Sequence, residues 1–167
     1  RCAVKTQTGL ILALKYHLSE NEELTKQMMK KLLRDNKNKL NTGFVGTPLL
    51  CNVLTDHGMT DAAYRLLLNE EYPGWLYEVK LGATTVWERW NSLDENGHVS
   101  STGMNSLNHY SYGAVLEWIF RHVAGIDVTE QGPGGKMMRI SPKVDHKLGS
   151  ASAVYDSASG CYRCGWQ

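Results

Sequence analysis

The sequence has 167 residues, 42% of them hydrophobic and 21% charged, and its formal net charge is +1. This length suits one ordinary domain with a buried core, and the composition excludes intrinsic disorder, a collagen-like repeat and a disulfide-dense mini-protein. Because basic and acidic residues nearly balance, we expect no nucleic-acid partner and no membrane partner. The sequence shows neither a membrane-spanning run nor a signal peptide, which leaves the compartment open with the cytoplasm slightly favoured.

Apolar residues at helical spacing predict that the first three quarters of the chain are helical. Ser19–Glu22 is typical of a capping box, in which a hydroxyl and a carboxylate satisfy unpaired backbone N–H groups at a helix start. Thr47 before Pro48 predicts the N-cap of another helix, and Gly58 predicts its end. The expected helices are 8–18, about 20–36, 48–57, 61–69, 85–91 and 110–124. The polar segment 92–108 is long enough to be functional.

Beyond Gly125 the pattern changes to short strands with turn residues between them. We expect strands over 136–141, 151–155 and 162–166, with a hairpin turn over 156–160. Helices followed by strands predict two successive domains rather than an alternating α/β fold. Three strands make a poor sheet by themselves, and the chain has no initiator Met. We therefore expect a piece of a longer protein that stops inside its second domain.

Tryptophan and tyrosine cluster between residues 72 and 118, among carboxylates, amides and a histidine. Flat aromatic faces beside such groups suit a sugar pocket, because the rings cover the apolar face of a sugar while the polar groups bind its hydroxyls. Aromatic residues also simply fill cores. The core role is preferred for Trp118, which lies on an apolar helix face. For Trp87 and Trp90 the core and the pocket stay equal alternatives.

Glu88 follows Thr85 by three positions, at the predicted start of a short helix. In that place it could complete a second capping box. A carboxylate at a helix N-terminus is also held ionised, which is the state that a general base needs. His109, just before the last predicted helix, likewise has two alternatives, a structural hydrogen-bonding group or a catalyst.

Cys161 and Cys164 have the spacing of one half of a zinc site, but a structural zinc site needs four ligands. Cys2 and Cys51 are distant from this pair, and the histidines have no metal-ligand spacing. No Gly-rich phosphate loop and no Gly-x-Ser-x-Gly motif occurs. We therefore expect no metal and no cofactor, and it stays open whether Cys161 and Cys164 bind anything.

Six blocks of the sequence carry a family resemblance. They are Thr6–Gly9, Thr42–Pro48, Ala63–Leu68, Tyr72–Trp75, Gly82–Trp90 and Met104–Tyr110. The most specific stretches are Thr-Thr-Val-Trp-Glu-Arg-Trp in the fifth block and Asn-Ser-Leu-Asn-His-Tyr in the sixth. In this order the blocks resemble the bacterial α-L-rhamnosidases of glycoside hydrolase family 78. The resemblance covers about residues 6–126 and continues more weakly to the end.

This resemblance implies a mainly α fold. The family fold is an (α/α)6 barrel of twelve helices, the six-hairpin toroid, followed by a β-sandwich. Residues 1–125 would then be the second half of the catalytic barrel, and residues 126–167 the first strands of a truncated C-terminal β-sandwich domain. The expected partners are a rhamnosyl glycoside or oligosaccharide and the remainder of the chain's own barrel.

The resemblance also implies roles for single residues. Glu88 would be the general base of an inverting hydrolysis that releases terminal α-L-rhamnose, because it would activate the attacking water. His109 would contact the sugar. Trp87 and Trp90 would be pocket walls, although neither matches a family role individually.

An inverting mechanism needs a second carboxyl, the general acid, about 6.5–9.5 Å from the base. In the family this acid lies in the first half of the barrel, and none of Glu78, Asp94 and Glu95 stands at its place. We therefore expect the parent protein to be a rhamnosidase and this chain alone to be inactive. Two alternatives stay open, a non-catalytic sugar-binding or interaction module and another helical-toroid carbohydrate enzyme, such as a different glycosidase or a lyase.

Overall fold

The computed structural model describes residues 4–101 and 103–167, so that Cys2 lies outside the described residues. The chain divides into two units, Arg1–Ala114 and Val115–Gln167. The predicted site residues all belong to the first unit. No helix of the described residues is long and apolar enough to cross a membrane. The domain limits 1–125 and 126–167 stay predictions.

The described part of the first unit contains five α-helices, and the first four pack around an aliphatic core. They are α1 (Gln7–Lys15), α2 (Glu22–Asp35), α3 (Thr47–Asp56), α4 (Thr60–Leu67) and α5 (Trp75–Lys80). α1 packs against α2 and α3, and α3 packs against α4. Each of these four helices turns its apolar side inward. Their largest fully buried side chains are Ile11, Leu14, Met29, Leu33, Leu50, Leu54 and Leu66.

The start of α2 differs from the predicted capping box. Asn21 is the N-cap, since its Oδ1 accepts the N–H of Leu24 at 2.9 Å. Ser19 lies two residues earlier, and its Oγ accepts the N–H of Asn21 at 3.2 Å. Asn21 caps the helix because its side chain reaches the first turn, whereas Ser19 hydrogen-bonds to Asn21 itself.

α3 begins one residue earlier than predicted. Thr47 is its first helical residue rather than its N-cap, and its hydroxyl donates to the carbonyl of Gly43 at 2.9 Å. Its C-terminal end agrees with the prediction. Gly58 follows with a φ of +74°, a conformation that glycine adopts without steric cost.

The helix predicted over 85–91 is wrong, because this segment forms neither helix nor strand. Thr84, Thr85 and Val86 are β-branched side chains that lose rotamer freedom in a helix. The N–H of Glu88 donates instead to the carbonyl of Ser106 at 2.9 Å. A long-range backbone bond therefore replaces the expected local one. The preceding short helix α5 was not predicted.

The single helix predicted over 110–124 consists of three consecutive pieces with different hydrogen-bond spacing. They are a 3-10 turn at Ser111–Ala114, α6 at Val115–Trp118 and a π-helical turn at Ile119–Val123. The π turn closes through the N–H of Ala124, which donates to the carbonyl of Ile119 at 2.7 Å. Gly125, with a φ of +81°, ends the helical stretch as predicted.

The second unit contains two antiparallel pairs of strands within the described residues. β1 (Ile126–Val128) pairs with β2 (Met138–Ile140), and β3 (Ala151–Ser157) pairs with β4 (Gly160–Trp166). The three predicted strands and the hairpin turn are present, whereas β1 was missed because three residues carry too little pattern. Trp166 anchors the hairpin, since its Nε1–H donates to the carbonyl of Val123 at 2.7 Å.

Candidate active site

Backbone pairing between two distant segments brings Glu88 and His109 together. The N–H of Glu88 donates to the carbonyl of Ser106 at 2.9 Å, and the N–H of His109 donates to the carbonyl of Val86 at 2.7 Å. The hydroxyl of Thr85 adds a bond to the carbonyl of Leu107. These bonds place the two predicted site residues on adjoining segments, although neither segment is a regular strand.

The carboxylate of Glu88 has no internal partner among the described residues. The side chain is half-buried, and no hydrogen bond or ion pair to its carboxylate is formed by residues 4–101 and 103–167. The expected contribution of a helix N-terminus to this carboxylate is wrong, because no helix starts here. A half-buried carboxylate without an internal partner can accept a proton from a water molecule, which is the task of a general base.

His109 lies within a stack of three aromatic rings. Its imidazole is parallel to Phe44, with centroids 4.8 Å apart and planes 8° apart, and also to Tyr110, at 5.1 Å and 12°. Both flanking rings have exposed surface, 46% for Phe44 and 86% for Tyr110. Sequence reasoning did not single out Phe44, although an aromatic residue between Gly43 and Val45 was a usable signal.

The hydrogen bond at Nδ1 sets the tautomer of His109. The N–H of Ser111 donates to Nδ1 at 3.3 Å, so in the neutral ring Nδ1 is the acceptor. The proton of the neutral imidazole is therefore on Nε2, where it can be donated to a hydroxyl oxygen.

Trp87 and Trp90 are both interior residues, 2% and 8% exposed. Trp90 is stacked on Tyr112 with ring centroids 3.9 Å apart, and Trp75 meets Trp90 edge-on at 5.4 Å. The Nε1–H of Trp90 donates to the carbonyl of Thr42 at 2.9 Å. Trp90 thus belongs to an aromatic cluster with Trp75 and Tyr112, Trp87 is buried, and the use of either as a pocket wall stays a prediction.

Glu78 has a buried carboxyl group that contacts the segment containing Trp87 and Glu88. Its side chain is only 4% exposed, and its Oε2 accepts the N–H of Trp87 at a long 3.4 Å. Burial raises the pKa of Glu78 to about 7, against the weaker opposing effect of the Trp87 N–H. The sequence pattern marked Glu78 only as a nearby carboxylate, since burial is a property of the fold.

Asp94 stabilises the tip of a small hairpin within the segment 92–100. The two arms of this hairpin meet in an isolated bridge between Leu93 and Val99. Asp94 Oδ1 accepts the N–H groups of His98 and Asn96, each at 2.9 Å. The backbone N–H of His98, as the largest cause, lowers the pKa of Asp94. The carboxylate of Asp94 therefore has a structural role at the hairpin tip.

No three His, Cys, Asp or Glu side chains of the described residues come together as a metal site. Cys161 and Cys164 lie on β4, where side chains alternate between the two faces of the hairpin. Positions three apart therefore point to opposite faces, which does not suit two ligands of one zinc ion. Cys51 is buried, and burial raises the pKa of its thiol to about 12.

Over residues 1–123 the chain matches the family model described as the bacterial α-L-rhamnosidase 6 hairpin glycosidase domain. The paired helices agree with a domain of the six-hairpin glycosidase class. An α-L-rhamnosidase from Formosa agariphila is 43% identical over 164 residues. The chain belongs to the bacterial α-L-rhamnosidase family.

Solved structures lead to the same family. The α-L-rhamnosidase of Streptomyces avermitilis complexed with L-rhamnose superposes with a TM-score of 0.91 and 38% identity, over 98% of this chain and 16% of that one. The native enzyme from Aspergillus terreus superposes with a TM-score of 0.93 and 34% identity, over 98% of this chain and 19% of that one. The chain spans only 18% of the length of its Formosa relative.

Proposed function

We propose that this chain is part of an inverting α-L-rhamnosidase, to which it contributes the general base Glu88 and a sugar contact, His109. The observation that carries the proposal is the backbone pairing that joins Val86 and Glu88 to His109 and Ser106. Family membership and a structural neighbour complexed with L-rhamnose support the rhamnosyl substrate.

In the proposed reaction, Glu88 takes a proton from the water that attacks the anomeric carbon, on the face opposite the leaving group. The Nε2–H of His109 donates to a hydroxyl of the sugar. Trp87 and Trp90 form the buried backing of the pocket wall, and Trp90 supports the ring of Tyr112. The general acid is contributed by residues of the parent protein that are not part of this chain.

We also propose that residues 1–125 are the second half of an (α/α)6 barrel and that residues 126–167 begin a β-sandwich. The sequential packing of α1 on α2 and of α3 on α4 is what helical hairpins require. Two antiparallel pairs of short strands suit the start of a sandwich. The remainder of the barrel is then the partner of this chain.

The base assignment is tested by Glu88→Gln in the full-length protein, assayed on an aryl α-L-rhamnoside. Glutamine has the same shape but does not take the proton, so we expect turnover to fall by several orders of magnitude, on the order of 10³-fold or more, with an unchanged unfolding midpoint. The exposed Glu20→Gln is the matched control. A Glu88→Gln enzyme with a near wild-type rate would remove Glu88 from the mechanism.

Stereochemistry tests the inverting mechanism. NMR during the first turnovers of the wild-type protein should show β-L-rhamnose as the first product. An α-anomeric first product would mean a retaining mechanism, and an unsaturated product would mean a lyase. Binding of rhamnose without turnover by the full-length protein would favour a sugar-binding module instead.

Whether this chain lacks the general acid is tested with the 167-residue chain itself. Because the proposal assigns the general acid to another part of the parent protein, the purified chain should not hydrolyse an aryl α-L-rhamnoside. Co-expression with the upstream half of the barrel should restore activity. Turnover by the chain alone would contradict this division of the site.

A further inference from the structure

The carboxyl group of Glu78 has an unusual environment for a residue with only a packing role. It is 4% exposed, and its Oε1 has no hydrogen-bond partner within the described residues. A buried polar atom without a partner costs about 1–3 kcal/mol, whereas an apolar side chain of similar size would carry no such cost. Because the carboxyl group of Glu78 is costly to bury, the hydrogen bond that it does make points to its role.

That contact is with the backbone that leads into Glu88. Oε2 of Glu78 accepts the N–H of Trp87, and the next N–H along the chain, that of Glu88, donates to Ser106. Two successive amides are thus held by groups from two other parts of the fold. Since the Trp87 N–H belongs to the Val86–Trp87 peptide, a change at Glu78 reaches the backbone of Glu88 through one residue, Trp87.

The pKa of the Tyr112 phenol responds to both carboxyl groups. Burial is the largest cause that raises the pKa of Tyr112, and the charges of Glu78, Tyr72 and Glu88 raise it further, whereas Arg89 lowers it. This electrostatic influence accompanies the hydrogen bond from the Trp87 N–H to Glu78, and that hydrogen bond carries the argument.

We propose that Glu78 is a positioning residue for Glu88: from the interior its carboxyl oxygen holds the Trp87 amide and so fixes the backbone that directs the Glu88 carboxylate. Glu78 does not touch the substrate and acts only through its neighbour. The catalytic consequence rests on the proposed function of Glu88, whereas the structural consequence, an ordered Trp87 amide, does not.

The test compares Glu78→Leu, Glu78→Gln and the exposed control Glu20→Gln in the full-length protein. Leucine fills the space without an acceptor, so we expect kcat to fall about 10²-fold while KM changes about threefold or less. Glutamine keeps an oxygen for the Trp87 N–H and should restore kcat to within about fivefold of wild type. Hydrogen exchange over residues 85–90 should be faster with leucine and unchanged with glutamine.

Several outcomes would overturn the proposal. These are a leucine variant with wild-type kcat and exchange, a loss that falls on KM instead, or a glutamine variant as slow as the leucine variant. If leucine at this position prevents folding, wild-type exchange decides, because a Trp87 amide as unprotected as an open loop contradicts the contact. An inactive wild-type protein would refute the proposed function, and exchange in the leucine variant would still decide on the contact.

Discussion

Glu78 makes the stability of the protein depend on pH. In the unfolded chain the carboxyl has a pKa near the ordinary value of 4.5, whereas burial raises it to about 7 in the folded state. Between these values the folded state keeps a proton that the unfolded state releases, so the free energy of unfolding falls as the pH rises. The stabilisation is complete below the unfolded pKa and is lost as the pH passes through the folded pKa.

We therefore expect the wild-type protein to unfold at a lower temperature at pH 8 than at pH 5. Glu78 accounts for at most about 3 kcal/mol of the accompanying difference in the free energy of unfolding. Glutamine does not titrate, so Glu78→Gln should show a smaller decrease. Thermal unfolding of both proteins and of Glu20→Gln at the two pH values is the measurement. An equal decrease in all three would exclude Glu78 as its source.

We expect Phe44 to strengthen sugar binding because its ring supports the imidazole of His109. Removal of its ring by Phe44→Ala deletes a parallel stack worth about 0.5–1.5 kcal/mol, which corresponds to roughly 2–10-fold in affinity for a sugar held by His109. Inhibition of the full-length protein by L-rhamnose measures this change, and Phe44→Tyr is the matched control because it keeps the ring. An alanine variant that binds rhamnose as the wild type does would exclude this support of His109.

At the scale of elements, Gln7 connects α1 to the segment that leads into α3. Its side chain is 1% exposed, Nε2 donates to the carbonyl of Lys39 at 2.8 Å, and Oε1 accepts the N–H of Asn41 at 2.8 Å. The carbonyl of Thr42 is held by Trp90. Together these bonds fix the backbone just before Phe44.

Loss of the Gln7 amide should loosen that segment. Gln7→Ala leaves two backbone groups without their buried partner, a cost of about 1–3 kcal/mol. Hydrogen exchange over residues 37–46 of the full-length protein should become faster, while the exposed Gln27→Ala should leave it unchanged. Equal exchange in the two variants would mean that other contacts hold the segment.

Elements with local signals were predictable, and those made by distant contacts were not. The end of α3 at Gly58 and the turn between β3 and β4 are each predicted by residue types within a few positions. α5 and the irregular segments 81–101 and 103–110 are not, because the bond from Glu88 to Ser106 outweighs local preference. For the same reason motif resemblance did not predict the stack on Phe44 or the burial of Glu78, and the roles that it assigns to Glu88 and His109 stay predictions.

At the scale of the whole molecule, large apolar side chains of the first unit lie exposed. The most exposed are Leu18, Val45, Val99, Met104 and Tyr110. Where such side chains form a contiguous patch, the patch normally faces another part of a protein or a partner. We expect the isolated chain to self-associate as its concentration rises, which light scattering on a sizing column measures. A monomer at low and high concentration alike would contradict this expectation.

The small hairpin over 92–100 also has a practical consequence for protein engineering. Its tip is closed by Asp94, and the bonds between Glu88 and Ser106 and between Val86 and His109 close its base separately. A loop fastened at its base tolerates added length at its tip, since longer loops cost little extra chain entropy. An affinity tag or a fluorescent reporter placed between Asn96 and Gly97 would therefore leave the Glu88–His109 pairing in register.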